Sequence, residues 1–163
     1  MSNNYLKLSN LDLAYIAGFL DGDGSIIVQI VSDKTRKWKF YIRVSIVFYQ
    51  NTKHHWFILW LSKMFTPYGY VTKRTTGMSE FTIVEKEAVK LVLNKLTPYL
   101  KIKNPLCKLT LGIINDLESV QTEADFLKVC HKVDKVAEYT YSKPRKITAK
   151  NVADILKLPV ETS

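Results

Sequence analysis

The chain has 163 residues, of which 47% are hydrophobic, so it can form one domain with a substantial core but hardly two. It lacks an apolar run of about 18 residues, and we therefore expect a soluble globular protein rather than a membrane protein. With 24 Lys and Arg against 15 Asp and Glu, its formal net charge is +9, which favours a polyanionic partner.

The positive charge is unevenly distributed along the chain. Residues 34–79 contain nine Lys and Arg, two His and no acid, and residues 88–115 contain five Lys and no acid. A merely solvated basic surface usually mixes both signs, so this segregation favours nucleic acid as the partner. A basic amphipathic helix, which a membrane-surface protein would need, is not evident because most of the charge falls on strand-like segments.

The cysteines and the first residues indicate the compartment. Cys107 and Cys130 lie in apolar-periodic segments without CxxC spacing, so we expect reduced, buried thiols and no zinc. The polar start, Met1-Ser-Asn-Asn, does not have the pattern of a secretory leader. We therefore expect an intracellular protein that is not secreted.

The first predicted element is a helix that Ser9 or Asn10 can cap and that runs to about Leu20 or Asp21. It is apolar nearly all round, which is typical of a helix that is buried on every side. Two strands follow, one over Ser25–Val31 and one with clean apolar–polar alternation from Phe40 to Gln50. A polar, basic connection joins them.

The remaining predicted elements contain a second hairpin between helices. They are a helix from Asn51 or Thr52 to about Phe65, strands at Tyr70–Arg74 and Glu80–Val84, and helices at Glu87–Leu96, Pro105–Leu117, Ala124–Glu138 and Ala149–Leu156. Helical spacing places Trp56 and Trp60 in the core. Two hairpins with one apolar face each predict a four-stranded antiparallel sheet with helices on one face, an α+β fold.

One motif connects the first helix to the first strand. Residues 16–24 read Ile-Ala-Gly-Phe-Leu-Asp-Gly-Asp-Gly, so an apolar helix ends on two carboxylates. This run resembles the signature of the LAGLIDADG homing endonucleases, which are encoded in introns. The αββαββα order over about residues 10–118 is also similar to the order in that family, whose four strands form a saddle-shaped sheet. The resemblance implies a single LAGLIDADG domain over 1–163, with its core at about 10–140 and a basic turn and short helix in 141–163. It also makes a chloroplast or mitochondrial location conceivable.

Small residues are spaced four apart in the first helix, at Ala14, Gly18 and Gly22, and so form one stripe. Glycine inside a helix costs about 1 kcal/mol relative to alanine, which calls for a reason. One interpretation is close packing against another helix of the same chain. The resemblance implies the other, a homodimer in which the stripe meets its copy, because the motif occurs once.

The carboxylates favour a cation site. By resemblance, Asp23 and the carbonyl of Gly22 are metal ligands, with Mg²⁺ as the cofactor, Mn²⁺ as a substitute, and Ca²⁺ supporting binding with little cleavage. Asp21 looks structural. A Ca²⁺ EF-hand loop is excluded because Ile26 and Ser32 stand where Gly and Glu are needed. A solvated pair without metal stays open, and no small-molecule cofactor is expected.

The resemblance also implies a polar pocket around the scissile phosphate, containing Gln50, Lys103 and His54. An amide can orient water, and a Lys can stabilise phosphate charge or help the leaving group. His54 stands where relatives often carry a longer basic side chain, so we expect a phosphate contact rather than a general base.

The sheet face opposite the core is rich in hydrogen-bonding groups, and such a face can lie in the major groove of double-stranded DNA. The predicted DNA-binding residues on the strands are Gln29, Tyr41, Arg43, Thr72, Arg74, Glu80 and Thr82. The predicted loop contacts are Lys34, Arg36, Lys37, Trp38 and Lys39, and Lys143 and Lys146 are predicted phosphate contacts.

The resemblance, which the charge distribution supports, implies a homodimeric, site-specific DNA endonuclease that hydrolyses phosphodiester bonds with metal in a long, pseudo-palindromic target, leaving short 3′ overhangs. The main alternative is a maturase-like protein of the same fold that binds RNA or DNA without cutting. A transcription regulator that uses the same sheet is a third possibility.

Overall fold

The structure is a computed structural model that describes residues 6–141 and 143–159. Its strands are β1 (Gly24–Ser32), β2 (Phe40–Asn51), β3 (Tyr70–Lys73) and β4 (Met78–Ile83). Its α-helices are α1 (Asn10–Asp23), α2 (His55–Met64), α3 (Lys86–Leu96), α4 (Asn104–Glu118), α5 (Glu123–Lys135) and α6 (Ala149–Leu156), and short 3-10 turns lie at Thr52–His54 and Val136–Tyr139. The predicted α+β class and αββαββα order are confirmed.

The four strands form one sheet in the order β1-β2-β4-β3. Strand β4 runs antiparallel to both β2 and β3, with Phe48 opposite Phe81 and Thr72 opposite Glu80. Phe48 and Phe81 are fully buried. Because side chains alternate along a strand, the next positions, such as Tyr49 and Glu80, point to the other face, where the polar set was predicted.

Helix α1 begins with a capping box. The Asp12 amide donates to Ser9 Oγ at 3.1 Å, and the Ser9 amide donates to Asp12 Oδ2 at 3.1 Å. The helix continues to Asp23, beyond its predicted end, because the Gly24 amide still donates to the Leu20 carbonyl. The carboxylates of the motif therefore lie in the last helical turn.

The prediction that α1 is buried on every side is wrong. Leu13, Ile16 and Leu20 are buried, whereas 83% of Leu11 and 57% of Tyr15 are exposed. Periodicity reports only that a helix face is apolar, and it does not tell whether the same chain covers that face. The exposed face is where the small-residue stripe lies.

The small-residue stripe, which is Ala14, Gly18 and Gly22, is exposed. A Cβ atom added at Gly18 or Gly22 would have no neighbour within 4 Å among the described residues. Close packing against another helix of the same chain, one of the two interpretations of this stripe, is therefore wrong for the described part of the chain.

The chain forms two compact units, each built from two stretches. Residues up to 27 and 45–104 form the first, with Phe48, Phe65 and Phe81 stacked in its core. Residues 28–44 and 105 onward form the second, in which α5 packs on α6 and Cys107 and Cys130 are buried free thiols. A single domain over the whole chain stays a prediction.

Two further observations concern side chains and membranes. Trp56 is 66% exposed, so its predicted place in the core is wrong, while Trp60 is half-buried and packs edge-on against Tyr15.

Of the helices in the described ranges, none is long and apolar enough to cross a bilayer.

Candidate active site and nucleic-acid interface

Asp21 organises the end of α1 through hydrogen bonds from the loop that precedes α4. Its Oδ2 accepts from the amides of Lys101 at 2.8 Å and Ile102 at 3.2 Å, and its Oδ1 accepts from the Lys103 amide at 2.9 Å. We call this arrangement the Asp21 clamp. Hydrogen bonds to a charged group are about twice as strong as neutral ones, so the clamp fixes the loop on the helix. This agrees with the structural role predicted for Asp21.

The clamp also fixes the side chain of Lys103. Its Nζ donates to the main-chain carbonyl of Asp21 at 2.8 Å, so the ammonium lies against the last turn of α1. Partial burial lowers the pKa of Lys103, and the negative charges of Asp21 and Asp23 offset part of that effect. Lys103 is therefore a somewhat stronger acid than an exposed lysine.

Asp23 differs from Asp21 because its carboxylate is exposed to solvent. The last carbonyls of a helix need partners from outside its regular hydrogen bonds. Here the Leu20 carbonyl accepts from the amide of the cap residue Gly24, and the Asp21 carbonyl accepts from Lys103 Nζ. The Gly22 carbonyl belongs to this turn. The helix itself has no basic residue in its last turn, where the negative end of its dipole favours a cation; the Lys103 ammonium reaches this turn from outside the helix.

These donors fit a hard divalent cation. Mg²⁺ takes oxygen ligands and is usually held by one or two carboxylates together with substrate phosphates and water. A complete protein cage is not present, since the described residues contain no group of three or more His, Cys, Asp or Glu able to hold a metal. The donor set of one chain therefore suits a site that is completed by other molecules.

The other predicted pocket residues lie at the end of β2 and just after it. Gln50 is half-buried, and its Oε1 accepts from the Asn51 amide at 2.8 Å, so its Nε2 is the end that can donate to a phosphate or water. His54 is exposed and provides no side-chain cap to α2. His55 Nδ1 lies 2.8 Å from Ser79 Oγ, so this side chain contacts β4.

In the second unit, the predicted base-reading residues of β1 and β2 contact one another. Arg43 Nη2 donates to Gln29 Oε1 at 2.9 Å, so each restrains the other. The Arg36 guanidinium lies 5.0 Å from the centre of the Tyr41 ring, at cation–π distance. These pairs hold the predicted readers in defined positions before any DNA is bound.

The loop between β1 and β2 is also ordered. Asp33 Oδ1 accepts from the Thr35 amide at 3.0 Å and from the Thr35 hydroxyl at 2.6 Å, and these bonds lower the pKa of Asp33. The predicted DNA contacts Lys34, Arg36, Lys37 and Lys39 are exposed around this turn, and Lys37 Nζ lies 4.6 Å from the Trp38 ring centre. The loop therefore displays cations on a defined turn.

In the first unit, the hairpin of β3 and β4 carries another charged pair. Arg74 donates to Glu80 Oε2 through Nε at 3.1 Å and Nη2 at 2.9 Å, and this bond to Glu80 raises the pKa of Arg74. Thr72 lies opposite Glu80 and is partly exposed. Thr82 is only 8% exposed, so the predicted contact of this side chain with DNA has little surface available.

Sequence reasoning missed two interactions at these sites. The partners of Asp21 are main-chain amides about 80 positions away, and amides leave no mark in the residue pattern. Arg145 stands between the exposed Lys143 and Lys146 but is half-buried, and it donates to the carbonyl of Val28. In the sequence these three basic residues look alike, and only the structure distinguishes the half-buried arginine from the exposed lysines.

This chain is similar to known endonucleases over most of its length. The family model described as LAGLIDADG endonuclease matches residues 16–110. The DNA endonuclease I-CvuI of Chlorella vulgaris is 39% identical over 147 residues, which cover 90% of this chain and 91% of the relative. The DNA endonuclease I-CreI of Chlamydomonas reinhardtii is 37% identical over 146 residues, which cover 88% of each chain.

Solved structures agree with these relatives. A crystal structure of the homing endonuclease I-CvuI in complex with the I-CreI target and Mg, with the DNA uncleaved, matches with a TM-score of 0.85 at 39% identity, over 90% of this chain and 93% of that one. The archaeal homing endonuclease I-Vdi141I, complexed with DNA, is 14% identical with a TM-score of 0.80, which shows a shared fold. The resemblance predicted from residues 16–24 is confirmed: this chain belongs to the LAGLIDADG endonuclease family.

Proposed function

We propose that this chain is a site-specific endonuclease that cuts both strands of a long, pseudo-palindromic DNA target by metal-dependent phosphodiester hydrolysis. One observation carries the proposal. Asp23 is exposed in the last turn of α1, and the Asp21 clamp holds the ammonium of Lys103 against that same turn. A protein that only binds nucleic acid has no need of a fixed ammonium beside an exposed carboxylate. Membership of the family and the DNA endonuclease relatives support the same conclusion.

The side chains of this chain have distinct tasks in the proposed reaction. The Lys103 ammonium stabilises the negative charge that develops on the phosphate, and its lowered pKa helps it to donate a proton to the leaving oxygen. The Nε2 group of Gln50 orients water or a phosphate oxygen. His54, exposed after β2, contacts phosphate rather than removing a proton.

Asp23 and the Gly22 carbonyl hold the divalent cation. When bound, such a cation lowers the pKa of water and stabilises the leaving oxygen of an in-line displacement. We propose Mg²⁺ as the physiological ion and Mn²⁺ as a substitute, with Ca²⁺ supporting binding but little cleavage. The relative I-CvuI has a structure with the I-CreI target in the presence of Mg and another with its own target in the presence of Ca, which supports a divalent ion here.

The active species is proposed to be a homodimer in which the small-residue stripe of α1 meets its copy. Leu11 and Tyr15 expose apolar surface beside that stripe, and Ile102, next to Lys103, is 79% exposed. Burying such surface against a second copy would stabilise assembly. A dimer supplies two Asp23 carboxylates, and two strands must be cut.

The dimer is tested with Gly18→Leu and a matched control, Gly112→Leu. Both glycines lie in helices, and a Cβ at either has no neighbour within 4 Å among the described residues. By sedimentation equilibrium, Gly18→Leu should be a monomer and should lose double-strand cleavage, whereas Gly112→Leu should behave as the wild type. A wild-type monomer at micromolar concentration that still cuts both strands would contradict the dimer.

The nuclease itself is tested by incubating the protein with a randomised library of DNA duplexes and Mg²⁺, Mn²⁺, Ca²⁺ or a chelator. Cleaved molecules should share one long, roughly palindromic sequence with Mg²⁺ and Mn²⁺, while Ca²⁺ should enrich the same sequence uncut. Tight binding to structured RNA, with no duplex cleaved under any of these conditions, would instead support the maturase-like alternative.

A further inference from the structure

We propose that Arg145 is a positioning residue that fastens residues 143–148, here called the basic segment, to β1 so that Lys143 and Lys146 face the DNA backbone. The inference rests on the proposed function as a DNA-binding endonuclease. It adds a specific device to that function, because the predicted phosphate contacts depend on a neighbouring arginine that does not contact DNA itself.

The first anchor of the basic segment is a hydrogen bond to a strand. Arg145 Nη1 donates to the main-chain carbonyl of Val28, a fully buried residue of β1. Strand β1 lies at one edge of the sheet, and an edge leaves main-chain groups without a ladder partner. The guanidinium therefore satisfies a carbonyl of the strand that also carries Gln29.

The second anchor lies at the start of α6. Both carboxylate oxygens of Asp134, on α5, accept from the Ala149 amide, at 3.3 and 3.1 Å. Thr148 and Asn151 complete a capping box at the same point. The basic segment is thus fixed at Arg145 and again at its end, only a few residues later.

Burial separates Arg145 from its basic neighbours. The guanidinium is partly buried, and that desolvation lowers the pKa of Arg145, with the charge of Asp134 offsetting part of the effect. Lys143 and Lys146 are exposed. Arg145 therefore faces the protein, whereas the two lysines that flank it face solvent.

The two anchors restrict the basic segment before DNA binds, so the lysines lose less conformational entropy when they bind phosphates. A contact group that is ordered before binding gives a greater net affinity than the same group on a loose chain. The loss of Arg145 should therefore weaken DNA binding through Lys143 and Lys146. An arginine that contacts phosphate itself would instead act independently of them.

The experiment measures affinity for the target duplex, with Ca²⁺ present, as a function of salt concentration. Arg145→Met and the double variant Lys143→Ala/Lys146→Ala are compared with the variant that combines all three changes. We expect Arg145→Met to weaken binding by about tenfold in the wild-type background and by less than about twofold when both lysines are absent. Lys150→Met, which removes an exposed cation from α6, is the control for net charge and should have little effect.

Two outcomes would overturn the inference. One is an equal loss of affinity from Arg145→Met in both backgrounds. The other is a decrease of about one in the slope of log affinity against log salt concentration when Arg145→Met is added to Lys143→Ala/Lys146→Ala, because that decrease indicates a direct phosphate contact. If Arg145→Met does not fold, Asp134→Asn weakens the second anchor and should show the same dependence on the lysines. A wild type that binds no duplex refutes the proposed function instead, so the two failures are distinct.

Discussion

The polar groups at the end of α1 and those on the sheet are held in different ways. Main-chain amides fix Asp21, and Asp21 in turn fixes Lys103. On the sheet, side chains restrain each other, as in the pairs Arg43 with Gln29 and Arg74 with Glu80. Two substitutions can replace one side-chain pair by another, whereas the main-chain amides that bind Asp21 cannot be changed by substitution. The difference predicts that the end of α1 tolerates few substitutions, whereas the residue pairs on the sheet can change during evolution.

The largest effect is expected from Asp23→Asn. This change keeps the size of the side chain but removes the charge that is proposed to bind the metal, so single-turnover cleavage should fall by several orders of magnitude. Affinity for the target in the absence of metal should hold or rise, because a negative charge near DNA phosphates is lost. Near-normal cleavage by Asp23→Asn would refute the assignment of Asp23 as the metal ligand.

Asp21→Asn, two residues away, tests whether the clamp is distinct from the chemistry. The amide loses the charge-assisted bonds to residues 101–103, and we expect the free energy of unfolding to fall by about 1–3 kcal/mol. Cleavage should fall by about 10- to 100-fold because Lys103 is less well placed. Thermal denaturation measures the stability of the variant, and a single-turnover assay measures its cleavage. If Asp21→Asn is as stable as the wild type and cleaves as poorly as Asp23→Asn, the two carboxylates do not have distinct roles.

Changes to the predicted DNA-binding residues of the sheet are expected to act at individual base positions of the target. Arg74→Ala is expected to relax the preference at one symmetric pair of base positions, by about 1–3 kcal/mol for a lost bidentate contact. Glu80→Gln keeps a partner for Arg74 and should alter that preference less. Selection of bound sequences from a randomised library measures both. A uniform loss across all positions, as we expect for Lys146→Ala, would show that Arg74 contacts the backbone.

The smallest effect is expected from His54→Lys. Lysine carries a permanent positive charge, so the change places a fixed cation after β2. If His54 contacts phosphate, the lysine variant should cut at least as well as the wild type at about pH 8. A loss of cleavage comparable to that of Asp23→Asn would assign His54 a role as base or as a geometric requirement.

Local signals were sufficient to predict much of the fold. Helix α6 was expected at Ala149–Leu156 and lies there, and Ser9 caps α1 as one of two candidates. Strand β2 was expected at Phe40–Gln50 and ends one residue later. In these elements the signal consists of a cap or an alternation within about a dozen neighbouring residues, which the sequence displays directly.

Errors and omissions arose where the deciding contact is distant in the sequence. Trp56 has helical spacing, yet it is exposed, because spacing does not reveal which face of α2 the core contacts. The Asp21 clamp joins residues about 80 positions apart through amides common to all residue types. Asp23, Gln50 and Lys103 were identified by family resemblance, and the structure adds that Lys103 is fixed beside the last turn of α1.

The glycines of α1 have a consequence for the evolution and engineering of this protein. Because a Cβ at Gly18 or Gly22 would have no described neighbour in its own chain, each glycine makes the isolated chain less stable than alanine would, by about 1 kcal/mol. Selection for the stability of the isolated chain alone would therefore replace both glycines. Under the proposed homodimer, the glycines lower the stability of each chain and keep a surface that another backbone can approach, so variants screened only for heat resistance would tend to lose that surface.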